Sequence, residues 1–75
     1  MKELVETIAK ALVDSPDQVK VTEEVNEKGM LITLSVAKED IGKVIGKQGR
    51  VANAIRSVVK AVGVRKGVHV IVDIE

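Results

Sequence analysis

Between residues 2 and 14 the apolar side chains Leu4, Val5, Ile8, Ala9, Leu12 and Val13 return at spacings of three and four. That period lays them along one stripe of an α-helix. Glu3 and Glu6 stand in its first turn, where the positive end of the helix dipole favours them. Ser15-Pro16-Asp17 ends it, because a proline ring pushes the residue before it out of the helical region. The period then changes to two. Over residues 18–26, Val19, Val21 and Val25 alternate with Gln18, Lys20, Thr22 and Glu24, as in a half-buried strand. Glu23 interrupts the apolar side, so the strand is expected to twist outward or lie at an edge there. Asn26-Glu27-Lys28-Gly29 reads as a hairpin turn with Gly29 in the left-handed position. Met30, Ile32, Leu34 and Val36 then alternate with Leu31, Thr33 and Ser35 in a return strand over residues 30–37.

The second half repeats neither period of the hairpin until its end. Residues 38–45 predict a short helix, with Glu39 and Asp40 near its start and Ile41, Val44 and Ile45 on its buried face. Gly42 weakens that helix by ~1 kcal/mol relative to alanine. It serves either a close backbone approach or a small residue under a neighbouring strand. Residues 49–62 predict a longer helix whose stripe is Val51, Ala52, Ile55, Val58, Val59 and Val62. Arg56 and Lys60, four apart, read as a solvated basic pair on its outer face. Gly63 is read as the C-terminal glycine, followed by a basic loop over 62–67. Val68, Val70, Val72 and Ile74, opposite His69, Ile71 and Asp73, form a last strand over 68–74.

The element order is αββααβ, an α+β chain. The first two strands pair as a hairpin, and a helical crossover makes the second and third parallel. This gives a three-stranded mixed sheet covered on one face by three helices.

Composition narrows the classes of function. Seventy-five residues make one domain, and a chain this short buries only about 60% of its unfolded surface. The sequence has no cysteine, which rules out disulfides and thiolate metal sites and fits a reducing cytoplasm. No secretory leader is expected, and no apolar run reaches the ~20 residues of a membrane span. Aromatic residues are absent, so any single-strand binding must use aliphatic surfaces, main chain and cations rather than ring stacking.

The net charge of +1 conceals a segregation. Residues 1–37 carry four lysines against seven acids, a net −3. Residues 38–67 carry eight cations against Glu39 and Asp40, a net +6, and Asp73 and Glu75 leave −2 in the remainder. The basic stretch surrounds Gly42-Lys43-Val44-Ile45-Gly46-Lys47-Gln48-Gly49-Arg50. Within it, Gly46 and Gly49 bracket Lys47 and Gln48 at the expected start of the long helix. Glycine permits a sharp turn and the close approach of another backbone, and a helix N-terminus favours an anion. The pattern is therefore read as a phosphate clamp. It is not a nucleotide P-loop, because Gly42 and Gly46 are separated by three residues rather than four and Gln48 replaces the magnesium-binding hydroxyl. It is not a dinucleotide fingerprint either, because residue 44 is valine.

Val44-Ile45-Gly46-Lys47-Gln48-Gly49-Arg50, in this element order, closely resembles the KH domain, whose Gly-x-x-Gly loop clamps single-stranded nucleic acid. The order matches the type II, prokaryotic arrangement, with a core over residues 30–74 and an N-terminal extension over 2–26. The resemblance covers the whole chain and is strongest to small, stand-alone bacterial KH proteins. It implies a cytoplasmic, RNA chaperone-like protein that binds single-stranded RNA and pairs with itself or with a larger KH protein. It assigns Gly46, Lys47, Gln48 and Gly49 to the clamp, with Lys43, Ile45, Arg50 and Val51 alongside. The third strand and the loop before it supply the other wall, where Arg65 and Lys66 serve either the groove or solubility.

Other side chains support no chemistry. His69 is the only histidine and reads as an exposed strand residue. Thr33, Ser35 and Ser57 have no base at a telling spacing, and Glu23, Glu24 and Glu27 read as solvated acids at a hairpin rather than a metal cage. No enzyme activity, metal, cofactor, small-molecule substrate or membrane partner is expected. The alternative to RNA binding is a KH-fold dimerisation module, favoured if α-helical or sheet aliphatic residues such as Leu31 and Ile71 remain exposed.

Overall fold

Helix α1 spans Lys2–Leu12 in the structure, a computed structural model describing residues 1–75. It buries Val5 and Ala9 completely. Its last turn closes earlier than residue 14: the N–H of Val13 donates to Ala9 O at 3.2 Å, but Val13 itself is extended. Pro16 then opens a single 3₁₀ turn, Pro16–Gln18. Proline suits that first position because its missing N–H has no partner to lose. The following strand therefore begins at Lys20 rather than residue 18.

Strands β1 (Lys20–Asn26) and β2 (Gly29–Ser35) form the hairpin, and β2 pairs in parallel with β3 (Val70–Ile74). The order β1-β2-β3 leaves β2 central and both others at edges. Ile32 and Leu34 of the central strand are fully buried. In β1 only Val21 is buried, and Val25, expected on the same apolar face, is 69% exposed. The helix layer covers only the start of that edge strand, so the alternation beyond Glu23 has nothing to pack against.

Helix α2 (Ile41–Ile45) follows a 3₁₀ turn, Lys38–Asp40, and α3 (Arg50–Arg65) follows the glycine quartet. Val44 and Val59 complete the solvent-free centre of an aliphatic core. Each such side chain contributes about 1.5–3 kcal/mol through burial. Asp40 is the one charged residue among them.

Two glycines differ from expectation. Gly63 does not end α3, which continues through it to Arg65. A Cβ on Gly63 would lie 2.7 Å from Val68 O and 2.8 Å from a Val70 methyl, so its smallness admits the returning chain. The N–H of Val68 donates to Gly63 O, the left-handed turn falls at Gly67 (φ +72°), and β3 starts at Val70 rather than 68. Gly42 meets neither expected role: nothing lies within 4 Å of where its Cβ would stand. Its carbonyl instead accepts the N–H of Gly46 at 2.9 Å.

Candidate nucleic-acid interface

The quartet between α2 and α3 is a sharp turn made of left-handed residues. Gly46 has φ +77°, Gln48 φ +57° and Gly49 φ +76°, and the segment Lys47–Gly49 forms one 3₁₀ turn. Gln48 is the only non-glycine residue of the chain at positive φ. A side chain there costs conformational energy that glycine avoids. Gly46 is required for a second reason, since a Cβ would sit 2.4 Å from Val51 Cγ2 and 2.8 Å from Val51 N. Val51 is thus tucked beneath the turn and packed on the core rather than lying on an open surface. At Gly49 a Cβ would meet nothing within 4 Å, so that side of the turn is bare main chain facing open space.

No side chain caps the start of α3. The N–H groups of Gly49 and Arg50 are taken by Gly46 O and Lys47 O within the turn, so it is the dipole of this 16-residue helix that leaves an anion-favouring end. Lys47, Gln48 and Arg50 are exposed around it. Lys43 is not similarly free. Its ammonium is paired with the carboxylate of Asp14 and lies 3.5 Å from that of Asp40. The hydrogen bond to Asp14, reinforced by both negative charges, raises its pKa above the ordinary lysine value.

Along α3 the side chains sort into two flanks. Ala54, Ile55 and Val58, with Val51, Arg50 and α1 residues Ile8 and Leu12, line an almost wholly apolar groove between α1 and α3. Asn53, Arg56, Ser57 and Lys60 line the opposite flank, facing β3, where a second groove of about 450 Å³ also receives His69, Val70 and Val72. Arg56 Nε donates to Val72 O across that groove at 3.2 Å. Arg56 and Lys60 are therefore groove residues, not merely a solvated helix face. Their i, i+4 spacing is visible in the sequence, but the flank becomes meaningful only once β3 lies beside it.

The remaining expected residues are spread more widely. Gly46, Lys47, Gln48, Gly49 and Arg50 come together, with Ile45 half-buried just before them. Arg50 and Val51 turn toward the α1 side rather than toward β3. Arg65 and Lys66 are exposed at the far end of α3, roughly 22 Å along its axis from the turn, and neither lines the β3 groove.

Comparison with known proteins decides the family. The family model KhpA/KhpB, KH domain, matches residues 2–74. The chain belongs to this KH-domain family. It is 57% identical over 74 residues to "RNA-binding protein KhpA" of Clostridium acetobutylicum, covering 99% of each chain. It is 58% identical to the protein of that name from Caldanaerobacter subterraneus, again over 99% of each. The Aquifex aeolicus KhpA is 47% identical, with 99% of this chain and 94% of the relative covered. A crystal structure of Aquifex aeolicus Era bound to GDP and aluminium fluoride superposes over 97% of this chain with a TM-score of 0.62, at 19% identity. This KH domain spans 28% of that Era chain, and the likeness is one of fold. The observed αββααβ order and mixed sheet are those of the type II KH arrangement. The three KhpA relatives are RNA-binding proteins by name.

Proposed function

We propose that this KH domain binds single-stranded RNA by laying the sugar–phosphate backbone against the turn Gly46-Lys47-Gln48-Gly49. The observation that carries this reading is the open main chain at Gly49, in a left-handed turn at an uncapped helix start. Lys47 and Arg50 supply charge beside it, Ile45 supplies an aliphatic edge, and Val51 supports the turn from beneath. The groove between α3 and β3, which opens at Asn53 one turn further along α3, takes the bases, about four nucleotides in length. Lys43 contributes through its hold on Asp14 and Asp40, and Arg65 and Lys66 attract the distal part of a longer strand. One such site gives modest affinity, which suits an RNA chaperone or post-transcriptional regulator in the cytoplasm acting as part of a pair.

The test replaces Lys47 and Gln48 together by aspartate. RNA affinity is expected to fall roughly tenfold or more, the worth of one or two charge-assisted contacts, with unchanged thermal unfolding. Wild-type affinity should decline with salt at a log–log slope of about −0.7 per phosphate contacted. Unchanged affinity of the double variant, or a slope near zero, overturns the clamp.

A second reading is favoured by the apolar groove between α1 and α3, where Leu12 is 38% and Val58 47% exposed. Through it the domain pairs with a second copy of itself or with a larger KH protein of the KhpB kind. The two surfaces meet at Arg50 and Val51, which border both the turn and the apolar groove, while the β3 groove lies on the opposite flank of α3.

A further inference from the structure

Strand β3 pairs on one side only. In a parallel pair, alternate residues turn both main-chain groups toward the neighbouring strand, and those between turn theirs away. His69 O accepts the N–H of Met30 and the N–H of Glu75 donates to Leu34 O, both at 2.8 Å, so these odd-numbered positions face β2. Val70, Val72 and Ile74 therefore present their N–H and C=O groups along the free edge, in the groove beside α3.

One of those acceptors is already engaged. Arg56 Nε donates to Val72 O at 3.2 Å, and Arg56 Nη1 lies 3.5 Å from Asn53 Oδ1. None of the molecule's ion pairs includes Arg56. The guanidinium is thus held against the strand edge by a main-chain contact, with its charge unneutralised and most of its N–H donors unassigned. Where Val72 O would otherwise accept from a ligand, that position now offers donors. A planar fork fixed at one nitrogen suits a partner with two acceptors side by side.

We infer that Arg56 is a specificity-determining residue that makes this groove prefer guanine over adenine at the nucleotide seated beside Val72. Guanine presents O6 and N7 together, the pair a guanidinium reads. Adenine sets its N6 amino group beside both N7 and N1, so one arm of the fork would confront a donor, whereas cytosine offers the adjacent acceptors O2 and N3 on its open Watson–Crick edge and is not rejected. The inference rests on the RNA-binding reading above and adds a base preference to it. A phosphate is the other acceptor a guanidinium takes, but that contact carries no base preference and shows itself in the salt slope instead.

The experiment measures binding of the full chain to labelled eight-nucleotide oligouridylates carrying one central guanine or adenine. The guanine oligomer is expected to bind about tenfold tighter than the adenine one, the lower range for a bidentate base contact. Arg56→Lys keeps the charge but not the fork, and should bring that ratio to about one by weakening the guanine oligomer alone. Arg56→Gln should also abolish the ratio, and thermal unfolding of both variants checks the fold. A ratio of one in the wild type overturns the inference, as does an undiminished ratio in Arg56→Lys. A salt slope lowered by Arg56→Gln with the base ratio intact identifies a phosphate contact and likewise overturns it. Binding without preference leaves the clamp standing, whereas no binding to any oligomer removes both readings.

Discussion

The carboxylate of Asp40 accepts the backbone N–H of Ser15 at 3.1 Å across 25 residues of chain. Its other oxygen accepts the N–H of Asp14 at 3.3 Å, and the side chain of Asp40 is 1% exposed. These bonds fasten the exit of α1 to the entrance of α2, and α2 leads directly into the glycine turn. Satisfied in this way, a buried charge becomes a joint between two elements rather than a defect.

Asp40→Ala leaves those N–H groups without their acceptor. The expected loss is about 2–3 kcal/mol of stability, read as a lower urea midpoint with an unchanged slope. Asp40→Asn keeps one oxygen and should cost less, about 1 kcal/mol. An alanine variant as stable as the wild type would show that the joint contributes nothing.

Gly46 and Gly49 share a positive φ but not their surroundings, and alanine substitution separates the two. Gly46→Ala drives a methyl into Val51 and should cost at least 2–3 kcal/mol, adding overpacking to backbone strain. Gly49→Ala meets open space and should cost only about 1–2 kcal/mol. Yet its methyl occupies the surface offered to RNA, so affinity should drop several-fold in a folded protein. Thermal unfolding and anisotropy titration on the same samples read both effects.

Gly63→Ala pits helix propensity against packing. Alanine in a helix interior gains about 1 kcal/mol over glycine. Here its Cβ would stand 2.7 Å from a carbonyl oxygen of the main chain, and overpacking of that kind costs ~1–3 kcal/mol. Net destabilisation is expected, with loss of exchange protection at the Val68 amide, whose bond to Gly63 O would be strained. A stabilised variant would show that the chain after α3 is free to shift.

Lys43 gives a pH signature. Its pKa is raised above 10.5, first by the hydrogen bond to Asp14. A raised cation pKa means that its stabilising contribution is complete below the unfolded-state value and is lost as pH climbs through the folded one. Lys43→Met should therefore lose stability at neutral pH and show a shallower decline above about pH 10.5 than the wild type. Parallel alkaline limbs in the two proteins would contradict the pairing.

The apolar groove predicts self-association. Val58→Glu places a charge on its exposed rim and should shift sedimentation toward the monomer, with the urea midpoint altered by less than about 0.5 kcal/mol, as for a surface site. A wild-type protein that is already monomeric at high concentration would set the pairing reading aside.

Periodicity identified the three α-helices and the three strands, though not the 3₁₀ turns between them, because each of the six buries a stripe or face against the rest and that burial writes its period into the chain. Leu4 through Leu12, and Ile32 and Leu34, are legible in this way. So is the glycine turn, since two glycines three apart before an amphipathic helix restrict the backbone locally. The misread boundaries lie where distant residues meet. Gly63 looks like a helix stop until Val68 and Val70 return against it, and Val25 looks buried until the helix layer proves too short to cover it.

The sequence by itself determined the order of elements, the pairing of the strands and the presence of a cation-flanked turn, all of which depend on local backbone preference and apolar period. Only the tertiary structure decided which charges are available there. It binds Lys43 to Asp14, turns Arg50 toward α1 and sets Arg56 against the edge of β3. Those outcomes follow from the rotation of α3 relative to its neighbours, fixed by packing among residues far apart in the chain, and a surface charge carries no period that would announce it.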